Sequence, residues 1–319
     1  MQKTVAMVLF NDVLMLDVTG PLDAFAIANR FLPQDKRYHL LTLAEGDGVV
    51  RSSCGLRVLT DGRLEELPAA VDLLLVPGGP GAYDLSLPAL ERWLPQAARS
   101  AKRFGAICTG VFLLGRAGLL GGYRCTTHWN YVERLARQFP EARVETEQIY
   151  VIDRNLITSG GITAGIDLAL AVVAEDHGKD LALEVAKVLL VARHRQGGQL
   201  PYGPLLAAVP RDGSPIARVQ AFIVDHIDEP FTVQKMAELV AMSARNFARA
   251  FQRDVGITPL QYLQNARIDH ARKLLEGSDL PLKVVAARSG FGSDRHMRKV
   301  FCERIGMTPN QYRAQFGGG

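Results

Sequence analysis

Apolar positions in the first two thirds of the chain come as short unbroken runs separated by stretches of helical spacing. Thr4-Val5-Ala6-Met7-Val8-Leu9, Tyr38-His39-Leu40-Leu41-Thr42-Leu43 and Val71-Asp72-Leu73-Leu74-Leu75-Val76 are such runs, the pattern of parallel strands covered on both faces. Leu16-Asp17-Val18-Thr19-Gly20-Pro21 reads as a loop and Leu22 to Arg30 as a helix. A second helix, from about Leu87 to Phe104, leads into a short strand ending at Ile107. Asn155-Leu156-Ile157-Thr158-Ser159 is a further strand, followed by helices from Ile166 to Glu175 and from Leu181 to Arg195. Strands alternating with helices predict an open, mostly parallel α/β sheet of flavodoxin-like type, whose ligands bind beyond the carboxyl ends of the strands. Periodicity breaks at Gln196–Pro204 and again at Pro210–Pro215, two Pro/Gly clusters that mark a linker, and from Ile216 the pattern is wholly helical. The expected organisation is an α/β domain over 1–195, a linker over 196–215 and an all-α domain over 216–319.

Charge sharpens this division. Residues 1–210 carry 21 Lys and Arg against 22 Asp and Glu, whereas residues 211–319 carry 16 against 11, so the net positive charge sits in the last third. That third is where a polyanionic partner is expected. The four cysteines, at 54, 108, 125 and 302, show neither CxxC spacing nor a paired framework, and no apolar signal stretch follows Met1; both fit a reduced cytoplasm. No apolar run reaches the length of a membrane span, and neither a metal nor a cofactor is expected.

The chemistry of the first domain centres on Cys108-Thr109-Gly110, where a strand turns sharply into a helix. Such an elbow lifts a small nucleophile above the sheet edge and aims backbone N–H groups at it, so the Cys108 thiol is expected to ionise more easily than a core thiol. The other reading of Cys108 is an ordinary buried cysteine. Gly78, Gly79 and Asp17 also lie after strands and should converge on that edge. His128 follows Cys108 by 20 residues, enough for one helix and a return loop that brings an imidazole near the thiol; the alternative is a histidine satisfied by local backbone. Asp17 has another reading as well, since an Asp before a helix is most often a cap. Ser159-Gly160-Gly161 supplies a second set of backbone donors suited to an anionic group, or plain turn chemistry.

Pro77-Gly78-Gly79, Ala106-Ile107-Cys108-Thr109-Gly110, Thr127-His128-Trp129 and Thr158-Ser159-Gly160-Gly161 with Gly165-Ile166-Asp167 together resemble the DJ-1/PfpI superfamily, over roughly residues 3–195. The resemblance implies an elbow cysteine, a first-loop carboxylate bonded to it and a nearby histidine, roles that would fall on Cys108, Asp17 and His128. The catalytic Glu of protease-like and chaperone-like members is absent. Its place is taken by Asp17, in a Leu-Asp-Val-Thr-Gly-Pro setting similar to the isocyanide hydratases, which lack the Thr-Thr-His-Trp histidine. Read this way, Cys108, His128 and Asp17 form a vestigial site with no catalysis expected, and Asp17, Gly78, Gly79, Cys108, Thr109, His128, Ser159 and Gly160 line a ligand pocket.

The last third contains an internal repeat at an offset of 50: Ala237 matches Ala287, Ser243 matches Ser293, Arg245 matches Arg295, Phe251 matches Phe301, and Gly256-x-Thr258-Pro259-x-Gln261-Tyr262 matches Gly306-x-Thr308-Pro309-x-Gln311-Tyr312. One supersecondary unit is used twice: a short helix, a turn, and a second helix capped by Ser243 or Ser293. Phe247, Ala250 and Phe251, and Met297, Val300 and Phe301, fall on the core faces. Arg245, Asn246 and Arg249 in one copy, and Asp294, Arg295, Arg298 and Lys299 in the other, fall on the opposite faces; these are side chains that contact base edges and phosphates. A helix from Tyr262 to Leu275 would hold the copies so that both reach successive major grooves. Ala287-Arg288-Ser289-Gly290-Phe291-Gly292-Ser293 and Phe301-x4-Gly306-x-Thr308-Pro309-x-x-Tyr312 resemble the AraC/XylS DNA-binding domain. That resemblance implies that Ala248 is a base-facing position unable to hydrogen-bond.

The combination is similar to the GlxA-type transcriptional regulators of bacteria. It implies a cytoplasmic, metabolite-controlled regulator that binds double-stranded promoter DNA, forms a homodimer through the first domain, and has RNA polymerase as a further partner. Its effector would be a small nitrogen compound such as arginine, carnitine or glycine betaine. A cysteine hydrolase or hydratase, or a redox sensor, carrying a DNA-binding domain are the other readings.

Overall fold

A computed structural model describes residues 2–191 and 213–317. The chain divides into two compact units, Met1–Gln199 and Leu200–Gly319. The linker expected over 196–215 lies outside the described residues as far as 212, whereas the helix expected to run from Leu181 to Arg195 ends at Val188, just before Leu190 turns left-handed at φ +55°.

In the first unit the strands are β1 (Lys3–Leu9), β2 (Tyr38–Ala44), β3 (Val49–Arg51), β4 (Arg57–Leu59), β5 (Gly62–Arg63), β6 (Val71–Val76), β7 (Ala101–Ile107), β8 (Arg124–Cys125), β9 (Arg143–Val144), β10 (Tyr150–Asp153) and β11 (Leu156–Ser159). The helices are α1 (Met15–Phe31), α2 (Pro80–Asp84), α3 (Pro88–Ser100), α4 (Val111–Arg116), α5 (Val132–Gln138), α6 (Ala164–His177) and α7 (Lys179–Val188). Seven strands form the main sheet in the order β10-β11-β7-β6-β1-β2-β5, parallel except for the β10–β11 pair. Chain order reverses around β1, which has β2 on one side and β6 on the other. The crevice beyond the carboxyl ends at such a reversal is where open α/β sheets hold ligands. Val5 to Leu9 and Leu73 to Val76 are almost wholly buried, which is why the central strands read as unbroken apolar runs.

The boundaries of α1 and β7 also differ from expectation. α1 begins at Met15, so Leu16–Pro21 is helix and not loop. Gly20 and Pro21 ordinarily break helices, but here they let α1 lie close to α6: a Cβ on Gly20 would sit 3.0 Å from Ile166, and one on Gly165 would sit 3.1 Å from Pro21. Tertiary packing overrides local propensity. Likewise β7 begins at Ala101 rather than Phe104, because Ala101 and Arg103 pair with Val71 and Leu73, and Lys102 and Arg103 are held by Asp72 and Asp176.

The second unit contains α8 (Pro215–Asp225), α9 (Val233–Glu238), α10 (Ala244–Val255), α11 (Pro259–Gly277), α12 (Leu282–Arg288), α13 (Asp294–Ile305) and α14 (Pro309–Phe316). The repeat is repeated in its caps. Ser243 accepts from Asn246 N and Ser293 from His296 N, Thr258 and Thr308 each form a capping box with the Gln three residues on, and α10 and α13 end on left-handed Gly256 and Gly306. Each copy has its own core. Phe247 and Phe251 pack with Tyr262, Leu263 and Ala266 of α11, whereas Met297, Val300 and Phe301 pack with Ile268, Ala271 and Leu275 of the same helix. α11 is 19 residues, longer than the 14 expected, because Pro259 opens its first turn behind the Thr258 cap. It is thus about 28 Å long and shared between the copies.

Phe251 and Phe301 are both fully buried. Phe251→Ala or Phe301→Ala is expected to destabilise its copy by about 3–5 kcal/mol, read from denaturant unfolding of the helical circular-dichroism signal; a loss under about 1 kcal/mol would contradict the placement of these rings.

Candidate functional site

Cys108 follows β7 at the start of a 3-10 turn, Cys108–Gly110, that runs into α4. Its φ is +55°, a left-handed conformation uncommon for a side chain with a Cβ. The turn is fixed from three directions. Thr127 Oγ1 donates to the Cys108 carbonyl at 2.8 Å, Gly79 N donates to Thr109 Oγ1 at 2.9 Å, and Gly110 leaves no room for a side chain, since a Cβ there would lie 2.2 Å from the Val76 carbonyl oxygen.

Asp17 sits in the first turn of α1 and is fully buried. It does not cap that helix, whose N-cap is Leu14. Its Oδ2 accepts instead from Gly78 N at 2.8 Å, across the crevice between α1 and the end of β6. A Cβ on Gly78 would meet Asp17 Oδ2, Thr109 N and Thr109 Oγ1, each at 2.7 Å, so glycine is what lets the three segments touch. Asp17, Gly78, Gly79, Thr109 and Cys108 therefore come together as the sequence led one to expect. The two glycine amides are occupied within the protein and are not free for a ligand.

The electrostatics differ from expectation. Burial pushes the Asp17 carboxyl up to about 7, against the Gly78 amide and the Cys108 thiol, which pull it down. Burial and then the Asp17 charge push the Cys108 thiol up to about 12, outweighing the amides of Thr109 and Ile162. The elbow was expected to favour a thiolate; with only 5% of the residue exposed, desolvation outweighs the oriented N–H groups, and Cys108 is a thiol at neutral pH.

His128 is half-buried, and its Nδ1 accepts from Asn130 N at 3.2 Å, capping a 3-10 turn. The ring lies over Gly161, where a Cβ would fall 2.9 Å from Cδ2. Burial lowers its pKa from the ordinary value. This is the local-backbone arrangement; the hydroxyl that reaches the cysteine is that of Thr127, one residue earlier, which sequence reasoning left without a role although it lay within the motif. Ser159 pairs with Ile107 across the β11–β7 ladder, which sets it beside the elbow. Gly160 N donates to the Ile149 carbonyl and so is not free for an anion. Two buried polar atoms at this edge have no hydrogen-bond partner among the described residues, Asp17 Oδ1 and Ser159 Oγ.

In the second unit Arg245, Asn246 and Arg249 of α10, and Asp294, Arg295, Arg298 and Lys299 of α13, are all exposed. Lys299 has a distant ion pair to Glu303 at 3.9 Å. Opposite them Phe247 and Phe251, and Met297 and Phe301, are fully buried. At the seam between the copies, Arg267 of α11 donates to the Glu229 carbonyl at 2.8 Å and lies against Gly290, which has φ +73°. A Cβ on Gly290 would fall 2.1 Å from the Ile227 carbonyl and 2.6 Å from Arg267 Nε.

An α/β unit with a nucleophile-type elbow after β7, two strands from the sheet's reversal at β1, joined to a twice-used helix-turn-helix with exposed basic helices, defines a ligand-sensing, DNA-binding class of protein. Comparison with known proteins agrees. Residues 3–175 match the DJ-1/PfpI family and residues 236–315 match a helix-turn-helix domain. The chain belongs to the DJ-1/PfpI family, in the GlxA-type arrangement of a transcriptional regulator with a C-terminal helix-turn-helix domain. The HTH-type transcriptional regulator CdhR of Pseudomonas aeruginosa is 32% identical over 300 residues, 94% of this chain and 88% of that one. The isonitrile hydratase of Pseudomonas putida is 40% identical over 185 residues, but these cover only 57% of this chain and 75% of the enzyme. Among solved structures, an AraC family transcriptional regulator from Pseudomonas putida aligns with a TM-score of 0.53 at 26% identity, over 59% of this chain and 99% of that one.

Asp17 makes stability depend on pH. Its carboxyl holds a proton up to about pH 7 in the fold but only to about 3.8 when unfolded. Its stabilising contribution is therefore complete below about pH 4, is lost as the pH rises to about 7, and is constant above. Between pH 5 and 7 the unfolding free energy of the wild-type chain should fall relative to that of Asp17→Asn by up to about 1.4 kcal/mol per pH unit, measured in urea; parallel pH profiles would contradict this.

Proposed function

We propose that the chain is a transcriptional regulator whose first unit binds a small nitrogen-containing effector at the Cys108–Asp17 edge and whose second unit reads a promoter with α10 and α13. The observation that carries the DNA reading is the doubled presentation of exposed basic helix faces, each backed by its own aromatic core, on one shared helix. Arg245, Asn246 and Arg249 supply one set of contacts, and Asp294, Arg295, Arg298 and Lys299 the other. Arg pairs with guanine, Asn with adenine, and Asp accepts from cytosine. Ala248 gives α10 one reader fewer. The protein works as a homodimer through its first unit, in the cytoplasm, and signals to RNA polymerase at the promoter.

For the effector, Asp17 Oδ1 and Ser159 Oγ are buried acceptors still open to a donor, which an amine or guanidine N–H can fill. A neighbouring cation would also favour the ionised form of Asp17. A non-catalytic role is supported by the protonated Cys108 thiol and by a His128 engaged with Asn130. The hydratase reading is favoured by the 40% identity of the first unit to the isonitrile hydratase, and turnover decides between them.

Arginine, carnitine and glycine betaine are the compounds to titrate into the full chain and its Cys108→Ala variant, with thermal unfolding and substrate consumption both followed. A compound present at about 100 times its Kd should stabilise both forms by about 2.7 kcal/mol, with none consumed. Stabilisation of the alanine form alone, with loss of the compound in the presence of wild type, would establish an enzyme instead.

A further inference from the structure

The 50-residue repeat allows α10 and α13 to be compared position by position. Residues four apart share one helix face. The stripe opposite Phe247 and Phe251 in α10 reads Arg245, Arg249, Arg253, and the stripe opposite Met297 and Phe301 in α13 reads Arg295, Lys299, Glu303. All of these stripe residues are exposed. The stripes agree over two turns and part at the third, where Arg253-Asp254 in one copy stands against Glu303-Arg304 in the other. Each third turn thus carries one cation and one acid, in opposite order.

Local pairing does not account for the α10 stripe. Like charges one turn apart disfavour a helix, and Arg245 and Arg249 have no hydrogen bond or ion pair among the described residues. Arg253 Nε donates to Asp254 Oδ1 at 2.7 Å, but the arginine side chain is 75% exposed, and a pair so open to water is weak enough to be exchanged for another anion. In α13 the acid faces back along the stripe, with Glu303 Oε1 3.9 Å from Lys299 Nζ.

We infer that Arg253 binds a DNA phosphate for the first copy and that Glu303 denies the second copy the same contact. α10 then holds the duplex whatever its sequence, and α13 holds it chiefly through the bases it reads. This rests on the reading of α10 and α13 as the helices that enter the grooves. The N-terminal part of such a helix faces base edges. A guanidinium further along the same face meets the phosphate backbone, where arginine is a common partner, and a carboxylate there is repelled. Sequence-independent binding is phosphate neutralisation, so a helix without the third-turn cation adds less to it. Ala248, which cannot hydrogen-bond to a base, fits a first copy that grips more than it reads.

The test titrates the full chain onto a duplex of arbitrary sequence, about three helical turns long, over a range of salt concentrations. Arg253→Ala should weaken binding by about fivefold, the scale of an exposed charge pair, and lower the slope of log affinity against log salt by about one. Glu303→Arg should do the reverse, with tighter binding and a slope about one steeper. Glu133→Arg, the same change of charge on an exposed position of α5 in the first unit, should alter neither. Wild-type affinity and slope in Glu303→Arg or in Arg253→Ala would overturn the inference. So would an equal gain in Glu133→Arg, because net charge and not position would then be at work. Failure of the underlying reading looks different: Arg245→Ala and Arg295→Ala would also bind as wild type does, and the inference would fall with it.

Discussion

The first unit depends on one buried contact, the carboxyl of Asp17 against the amide of Gly78. It joins the start of α1 to the loop after β6, and the same loop is laced to the elbow after β7 through Gly79 and Thr109. A carboxyl with no exposure is tolerated only when it is hydrogen-bonded or keeps its proton, and Asp17 does both in part. The raised pKa of Asp17 and the raised pKa of the Cys108 thiol are thus two results of one dry crevice. An elbow that would generate a thiolate in a more open site here presents a buried thiol beside a buried acid.

The second unit meets a different constraint with the same economy of parts. Neither helix-turn-helix copy is large enough to close a core alone, and each borrows half of α11 to do so. Because one rigid helix serves both cores, α10 and α13 are held in a fixed relation, and the approach of Arg267 to Gly290 closes the seam between them. Paired recognition helices on a rigid spacer are what reading two successive major grooves requires.

The fold was legible where a single level of structure decides the outcome. The buried strands, the 50-residue repeat and its Ser and Thr caps all follow from apolar runs and capping chemistry. Misreadings arose where tertiary contact decided. The Gly20-Pro21 pair looked like a loop because its reason for being helical is Ile166 and Gly165, almost 150 residues away. At the site, the residues that converge were readable from the strand ends. Their charge states were not, because desolvation depends on the packed surroundings of Cys108 and Asp17. The role of Thr127 was not legible either, because nothing in the sequence shows that its hydroxyl reaches back 19 residues to the Cys108 carbonyl.

The most direct test of the regulator reading is a hydroxyl-radical footprint of the full chain on its operator, compared with Arg249→Ala and Arg295→Ala. Two protected segments about 10 base pairs apart on one face of the duplex are expected, with Arg249→Ala weakening one and Arg295→Ala the other, each by about 1–3 kcal/mol if the residue reads a base. A single protected segment, or two variants that leave the wild-type footprint and affinity intact, would contradict it.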